Sequence, residues 1–396
     1  LAMMVSPDRI PVDEVTAGNI AAIVGLKGAI AGATVSSLEN MVPFEPMIHY
    51  SEPVVTLAIE AKHTADLPRL IEVLRDISKA DPSIQVDINQ ETGEHLISGM
   101  GELHLDVTLY RIKNDYKVEV ETSDPIVVYR ETVEKKGGPF EGKSPNKHNR
   151  FYFEVEPLKP EVIQAIEDGD IPQGSKFKDK KSLIELLVSK GIDREEARGL
   201  VCVEGTNIMF DVTRGIQYLD ETMELLIEAF VEVMNRGPLA NEKVFGVKAR
   251  LVDAKLHEDS IHRGPAQVIP AGRNAIYGAM CEAKRVLLEP VQRVFINVPQ
   301  EEMGAAINEI QQRRGIIEDM KQEGEEISLT AKVPVAGMFG FASAIRGATG
   351  GKVLWSFENA GYQKVPPELQ DSIVRSIRER KGLRPEPYDA DYYASM

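Results

Sequence analysis

Two stretches of this chain, far apart in the sequence, ask for the same succession of strands and helices. That repetition constrains the fold more than any single motif. From Glu52, "PVVTLAIEA" reads as a strand and "DLPRLIEVLRDISKAD" as a helix, with Leu67, Leu70, Ile71 and Leu74 on one face. "SIQVDINQ" and "HLISGM" follow as strands joined by the turn "ETGE". "GELHLDVTLYRIKND" is a second amphipathic helix and "KVEVET" a closing strand. The order is βαββαβ, the split-βαβ or ferredoxin-like arrangement. The segments "VQRVFINV", "EEMGAAINEIQQRRG", "IIEDMKQEGEEISLTAKVPV", "FGFASAIRGATGG" and "KVLWSFEN" repeat that order later in the chain. Both copies open on Glu-Pro (Glu52-Pro53, Glu289-Pro290), and both set Gly-Met just before or at the second helix (Gly99-Met100, Gly337-Met338).

A chain of 396 residues has room for these copies and more, roughly two to four domains. Residues 1–48 read as short strands punctuated by Gly18, Gly25, Gly28 and Gly32, the pattern of a small barrel with tight corners. Pro43 and Pro46 mark a linker after it. The expected spans are 1–48, the end of a β-barrel; 49–124, ferredoxin-like; 125–285, a third α+β domain; and 286–396, ferredoxin-like with a C-terminal helix.

The third domain contains a charged insertion, "GSKFKDKKSLIELLVSKGIDREEARG", with a short helix at Ser182–Lys190. "YLDETMELLIEAFVEVMNRGP" is a long helix with Leu219, Met223, Leu226, Ile227, Phe230 and Met234 at helical spacing, stopped by Gly237-Pro238. "EKVFGVKARLVDAKL" alternates as a strand. "RNAIYGAMCEAKRVLLE" is the next helix, with Ile276, Ala279, Met280, Ala283 and Leu287 inward.

Charge narrows the partners. The formal net charge is −16, which argues against coating nucleic acid by bulk electrostatics, since such binding rests on lysine and arginine neutralising phosphates. A local basic contact on an acidic body stays open. No uncharged apolar run approaches the roughly 20 residues of a membrane-spanning helix, and the start, "LAMMVSPDRIP", lacks the layout of a secretory signal. It has no initiator methionine and begins in mid-pattern, so a fragment is expected. Two cysteines, Cys202 and Cys281, fit no disulfide framework or CxxC spacing and read as buried reduced thiols of a cytoplasmic protein.

The segment "LHEDSIHRGPAQ", Leu256 to Gln267, holds two of the seven histidines between a strand and a helix. Helical zinc pairs place histidines four apart on one face; His257 and His262 are five apart in a non-helical segment, so no metal is expected. Asp259, Ser260 and His262 stand too close in sequence to orient one another as a nucleophilic set, and no GxSxG elbow occurs. An arginine and an imidazole beside a Gly-Pro turn suit close-range RNA contact. The residues alone leave that reading and a plain polar turn both open. In "GELHLDV", Glu102, His104 and Asp106 lie together, but on an amphipathic helix His104 reads as packing or capping. "GATGGK" departs from the phosphate-loop pattern, because Val353 follows the lysine, and reads as a helix C-cap and turn. No nucleotide-binding motif and no catalytic constellation occurs.

The order of parts and several motifs resemble the elongation factor 2 family, archaeal and eukaryotic translocation factors related to bacterial elongation factor G. The archaeal type is the nearer. The residues that carry this are "AGNIAAIVGLKGAIAG", "SGMGELHLDV", "YRETV", "EPVQRVFINVP" and the long run from Asn235 to Ala279 through the histidine segment. The resemblance covers essentially the whole chain. It implies the end of domain II, domains III and V of ferredoxin-like fold, and an elongated domain IV with a ribosomal-protein S5 domain 2-like fold. It also implies that the GTPase domain lies outside the chain. This portion would then be no enzyme and hold no cofactor, GTP and Mg belonging to the missing domain, while the full-length parent would be a GTPase.

The implied role is translocation of tRNA and mRNA on the ribosome, with the domain IV tip in the decoding centre. Its RNA contacts would come from His257, Asp259, Ser260, Ile261, His262, Arg263, Gly264, Gln267 and Arg273. The family position matches His262 as the histidine converted to diphthamide, with S-adenosylmethionine as donor. The implied partners are ribosomal RNA and the tRNA–mRNA pair, diphthamide-synthesis enzymes and ADP-ribosylating toxins, for a monomer with no membrane association. Where eukaryotic relatives have three glycines after the arginine, Pro265 and Ala266 should stiffen the loop. Two other readings are a paralogous GTPase of ribosome recycling or ribonucleoprotein remodelling, which would carry a degenerate tip, and a metal-dependent hydrolase at His257 and His262.

Overall fold

The computed structural model describes all residues except 7, 27, 28, 30, 31, 38–41, 43, 45–52, 89–94 and 124, and of residue 323 the backbone alone. Pro43, Pro46, Gly28, Glu52 and the turn 91–94 therefore lie outside the described residues. The rest forms two compact units, Leu1–Pro53 with Leu57–Asp124, and Val54–Thr56 with Pro125–Met396.

In the first unit, β1 (Ala2–Val5) and β2 (Asp8–Pro11) form an antiparallel hairpin, and Ala2 bridges Ala22. Among the described residues these strands close no barrel. Then come β3 (Val55–Ala61), α1 (Leu67–Ala80), β4 (Gln85–Ile88), β5 (His95–Gly99), α2 (Glu102–Asn114) and β6 (Val120–Thr122). The sheet order is β4-β5-β3-β6, the second, third, first and fourth strands of a βαββαβ unit. Helix α1 buries Leu70, Val73, Leu74 and Ile77, while Leu67 and Ile71, expected on the same face, are only half-buried. His104 acts as a tie within the fold: its Nδ1 accepts from the Met100 N–H at 3.2 Å and its Nε2 lies 3.1 Å from the Asp81 carboxylate.

The second unit runs β7 (Ile126–Val127), β8 (Arg130–Val133), β9 (Gly137–Lys143), β10 (Arg150–Pro157), α3 (Pro160–Glu167), α4 (Lys180–Ser189), α5 (Arg194–Arg198), β11 (Leu200–Glu204), β12 (Asn207–Asp211), α6 (Leu219–Asn235), β13 (Val247–Lys255) and α7 (Pro265–Glu282). It continues with β14 (Arg285–Pro299), α8 (Met303–Gln312), β15 (Ile316–Glu323), β16 (Glu326–Pro334), α9 (Val335–Met338), α10 (Phe341–Ala348), β17 (Leu354–Lys364), α11 (Pro367–Arg380) and α12 (Ala390–Ser395). Its first sheet has the order β11-β12-β13-β10-β9, with only β12 and β13 parallel among these neighbours. Alternation along the strands gives the sheet two apolar faces. Phe151, Phe153, Val155, Met209 and Leu251 pack with α6 and α7, whereas Val203, Ile208 and Phe210 pack with α3 and α4. Helix α7 lies close on β9 because a Cβ on Gly142 would sit 2.0 Å from the Ala271 carbonyl oxygen, and one on Gly278 2.0 Å from the Phe140 ring.

The second sheet has the order β15-β16-β14-β17, so the repeat read from the sequence has the same strand order in both copies. The turn after α10 is a helix end, with Gly350 and Gly351 at φ +58° and +81°, as "GATGGK" suggested. Cys202 is buried and Cys281 half-buried, and burial pushes each thiol up to about 11.

Three expectations give way around α7. The helix was expected from Arg273 to Glu289; it runs from Pro265 to Glu282. Proline suits the first helical position, where its missing N–H is not needed, so Pro265 and Ala266 form the helix's first turn rather than stiffen a loop. At the other end, Lys284 adopts φ +59°, and Arg285 to Leu288 pair with β8 as the start of β14. Leu287, expected inward on a helix, is a buried strand residue opposite Glu131. Tyr393 of α12 packs in the core cluster that holds residues of α6 and α7.

The motif "YRETV" gains a structural account. Glu131, fully buried, accepts hydrogen bonds from the Leu239 N–H at 2.7 Å, the Ala240 N–H at 2.7 Å and the Glu242 N–H at 3.0 Å. The carbonyls of the same loop are taken by Arg378 (Leu239), Lys381 (Asn241) and Arg285 (Pro238). A loop after a helix thus has its polar backbone satisfied from both sides, as burial requires.

Candidate nucleic-acid interface at the sheet tip

Strands β10 and β13 run antiparallel with Arg150 opposite Lys255, and β9 ends at Lys143 opposite Arg150. The β9–β10 turn and the β13–α7 connection therefore emerge at one end of the sheet. The turn, residues 144–149, is closed by the Ser144 N–H donating to the Asn149 carbonyl at 2.9 Å and the Asn149 N–H to Ser144 Oγ at 2.9 Å. The second connection crosses Leu256 to Glu258, makes a 3-10 turn at Ser260–Arg263 and enters α7 through Gly264.

Asn149 sews the two together. Fully buried, it donates from Nδ2 to the His262 carbonyl at 2.6 Å and accepts at Oδ1 from the His257 N–H at 3.0 Å. The Asn146 N–H donates to Gln267 Oε1 at 2.9 Å. Asp259 caps the 3-10 turn by accepting from the Ile261 N–H at 3.0 Å, so its carboxylate serves the backbone and orients no imidazole. His257 Nδ1 accepts from the Asp259 N–H at 3.0 Å, which fixes that ring within its own loop.

Arg263 departs from its expected place in an RNA contact. It is only 6% exposed, donates to the His257 and Glu258 carbonyls, pairs with Glu221 and lies 4.4 Å over the Tyr218 ring. Burying a guanidinium costs several kcal/mol unless it is paired and hydrogen-bonded, and here the acceptors are carbonyls of the loop and the ion-pair partner is Glu221 of α6. Its charge organises the tip rather than facing solvent. Arg273 sits eight residues along α7 from Pro265, roughly 12 Å by helical rise, and pairs with Glu232 at 2.9 Å; it is no part of the loop. Gly264, at φ −71° with no atom within 4 Å of a Cβ, has no conformational need to be glycine.

What faces outward is a small set. Ile261 is 81% exposed, Asp259 and Ser260 are exposed, and His262 is half-buried. Among the described residues no group hydrogen-bonds either nitrogen of the His262 ring. The fold adds a residue that sequence reasoning missed: His148, from the β9–β10 turn, brings its ring to 4.8 Å from His262 and 4.9 Å from His257, which are 4.5 Å from each other. The polar run "SPNKHNR" was the available signal, since a histidine in a turn between two strands belongs at a sheet end. Among the described residues no group of three or more His, Cys, Asp or Glu side chains is arranged to hold a metal ion, and no helix is long and apolar enough to cross a membrane. The arrangement can present imidazole, one aliphatic side chain and short polar groups to a close, shape-complementary surface.

The comparisons with known proteins agree in direction. Residues 50–124 match the model of "Elongation Factor G, domain III", residues 169–284 that of "Elongation factor G, domain IV", and residues 286–373 that of "Elongation factor G C-terminus". Over all 396 residues the chain is 98% identical to elongation factor 2 of Thermoplasma acidophilum and 93% identical to that of Thermoplasma volcanium. Over 394 residues, 99% of the chain, it is 55% identical to elongation factor 2 of Methanosphaera stadtmanae. The chain spans about half, 54%, of the length of each of these relatives.

Proposed function

The chain belongs to the elongation factor 2 family, and from that membership we propose that it is the ribosome-engaging half of a translocation factor. Tip and sheet enter the decoding centre as tRNA and mRNA move, while GTP and Mg are handled by the remaining length of the full protein. The part described here performs no bond-making step. It binds RNA surfaces and transmits their position to the GTPase. The domain spans 1–48, 49–124, 125–285 and 286–396 serve as the working division into parts II to V, with α12 returning to the third.

Within that role His262 is the residue converted to diphthamide. The observation that carries the choice is the Asn149 clamp: it grips the backbone of His262 and leaves the ring without a hydrogen bond, whereas the His257 ring is tied to its own loop. A rigid backbone under an uncommitted ring suits a side chain that an enzyme must enter and lengthen. The added cationic arm would extend the tip toward RNA without reading a fixed sequence. Ile261, Ser260, Asp259 and His148 would line the same contact, with Arg263, Asn149 and Gln267 holding it in shape.

The test uses protein from a host with the diphthamide pathway, labelled by diphtheria toxin and NAD. Wild type and His257→Ala should take the label and His262→Ala should not. Label persisting in His262→Ala sinks the assignment. Failure of the unaltered chain to bind archaeal ribosomes sinks the wider reading.

A further inference from the structure

We propose that His148 is a positioning residue for the modification of His262. Its ring, delivered by the β9–β10 turn, holds the His262 imidazole in one orientation for the modifying enzyme; that His262 is modified rests on the reading above. The transfer is redox-neutral overall. The sulfur–carbon bond of S-adenosylmethionine breaks, and the freed aminocarboxypropyl carbon bonds to the ring carbon between the two nitrogens. That ring carbon gives up its hydrogen as a proton, and methylthioadenosine leaves. The acceptor is a single carbon on a ring that can turn, so the orientation of the ring enters the rate directly.

The Asn149 clamp fixes the backbone of His262 and stops there. Two bonds of the side chain still turn, with about three staggered positions for the first and roughly two for the second. What bounds the ring is two other rings. His257 meets it at 4.5 Å, edge-on at 77°, and His148 at 4.8 Å with the planes tilted by 52°. Both separations are those of rings in contact. His257 belongs to the same loop as its target, whereas His148 arrives from a different pair of strands.

The turn is built to deliver that ring. The Lys147 N–H donates to the Ser144 carbonyl at 2.7 Å, with Lys147 at φ +60°. The His148 N–H donates to Asn146 Oδ1 at 3.1 Å. Asn146 Nδ2 reaches the His262 carbonyl at 3.4 Å, the same oxygen that Asn149 grips at 2.6 Å. The residues two before and one after His148 are thus tied to the backbone of His262, and the two rings meet across anchored main chain. Neither neighbour can replace His148, because Asn149 is buried in the clamp and Lys147 is exposed without a ring. His148 is itself exposed, so its ring is not needed to fill a core.

The test compares the unaltered chain with His148→Ala and His148→Phe. Each is given to an excess of the enzyme of the first diphthamide step with labelled S-adenosylmethionine, and the adduct is located by peptide mass. A ring released to about six orientations is productive in only some of them, so His148→Ala should accept the group about 3- to 6-fold more slowly at saturating enzyme. The half-saturating enzyme concentration should not change, since the clamped backbone is intact. His148→Phe, which keeps a flat ring and loses both nitrogens, should restore the rate. Side-chain couplings from histidine-labelled protein without enzyme should give one His262 rotamer in the unaltered chain and His148→Phe, and an average in His148→Ala. All three should melt alike. An adduct formed at His262 at the unaltered rate in His148→Ala overturns the proposal. So does a His148→Phe variant as slow as His148→Ala, a loss confined to the half-saturating concentration, a single rotamer in His148→Ala, or a lower melting midpoint there. An unaltered chain that takes the group elsewhere than His262, or not at all, would bring down the reading of His262 and the role of His148 with it.

Discussion

The two ends of strand β13 are built with the same device and put to opposite use. At one end the buried carboxylate of Glu131 collects three N–H groups of the loop 239–242. At the other, the buried amide of Asn149 and guanidinium of Arg263 collect the backbone of the loop 257–262. In the first loop the remaining carbonyls are also taken, by Arg378, Lys381 and Arg285, and the loop is consumed in packing. In the second, the backbone is held while Ile261 and the imidazole of His262 are left facing out. One loop is used up in packing within the protein; the other keeps side chains outside its own hydrogen-bond network. The difference lies in what surrounds the anchored backbone, not in the anchor.

That contrast can be broken by substitution. Glu131→Ala should have the largest effect, about 4 kcal/mol lost, because three buried donors are orphaned together; a denaturant midpoint close to wild type would show that the loop finds other acceptors. Arg263→Ala should cost about 3 kcal/mol by leaving the carbonyls of His257 and Glu258 without their donor. Unlike Glu131→Ala, it should raise hydrogen exchange mainly across residues 256–264, and exchange spread evenly over the domain would erase the distinction between the two ends. Asn149→Ala should cost about 2 kcal/mol and reduce toxin labelling at His262, since the ring would stand on a loose backbone; full labelling would remove the clamp from the account. His262→Ala should change stability by no more than about 0.5 kcal/mol in thermal melts, the smallest effect of the four. A large loss there would mean that the three-histidine contact is structural.

Much of the architecture was legible beforehand because its signals are local. Leu70 and Leu74 face inward from α1 as their spacing asks, although Val73 and Ile77, not Leu67 and Ile71, complete the buried face, and two βαββαβ patterns became two sheets of identical strand order. The strand-to-helix connection holding both histidines was readable as well. Local pattern failed where a distant partner competed with it. Residues 286–288 continue the apolar pattern of the preceding helix, but β8, more than 150 positions earlier by its numbering, offers them a strand to pair with. Pro265 read as a turn residue because proline also opens helices.

The candidate site divides in the same way. Sequence by itself placed two histidines, short polar groups and an arginine between a strand and a helix, and left an RNA contact and a plain polar turn both open. Only the tertiary structure decided that Arg263 turns inward, that Arg273 belongs to a helix–helix pair, and that His148 completes the group. Those outcomes rest on contacts such as Asn149 to His262, 113 positions apart, and Arg263 to Glu221, 42 apart. A side chain's type is written in the chain, but whether its hydrogen bonds and charge go to the protein or to a partner depends on neighbours that folding alone brings within reach.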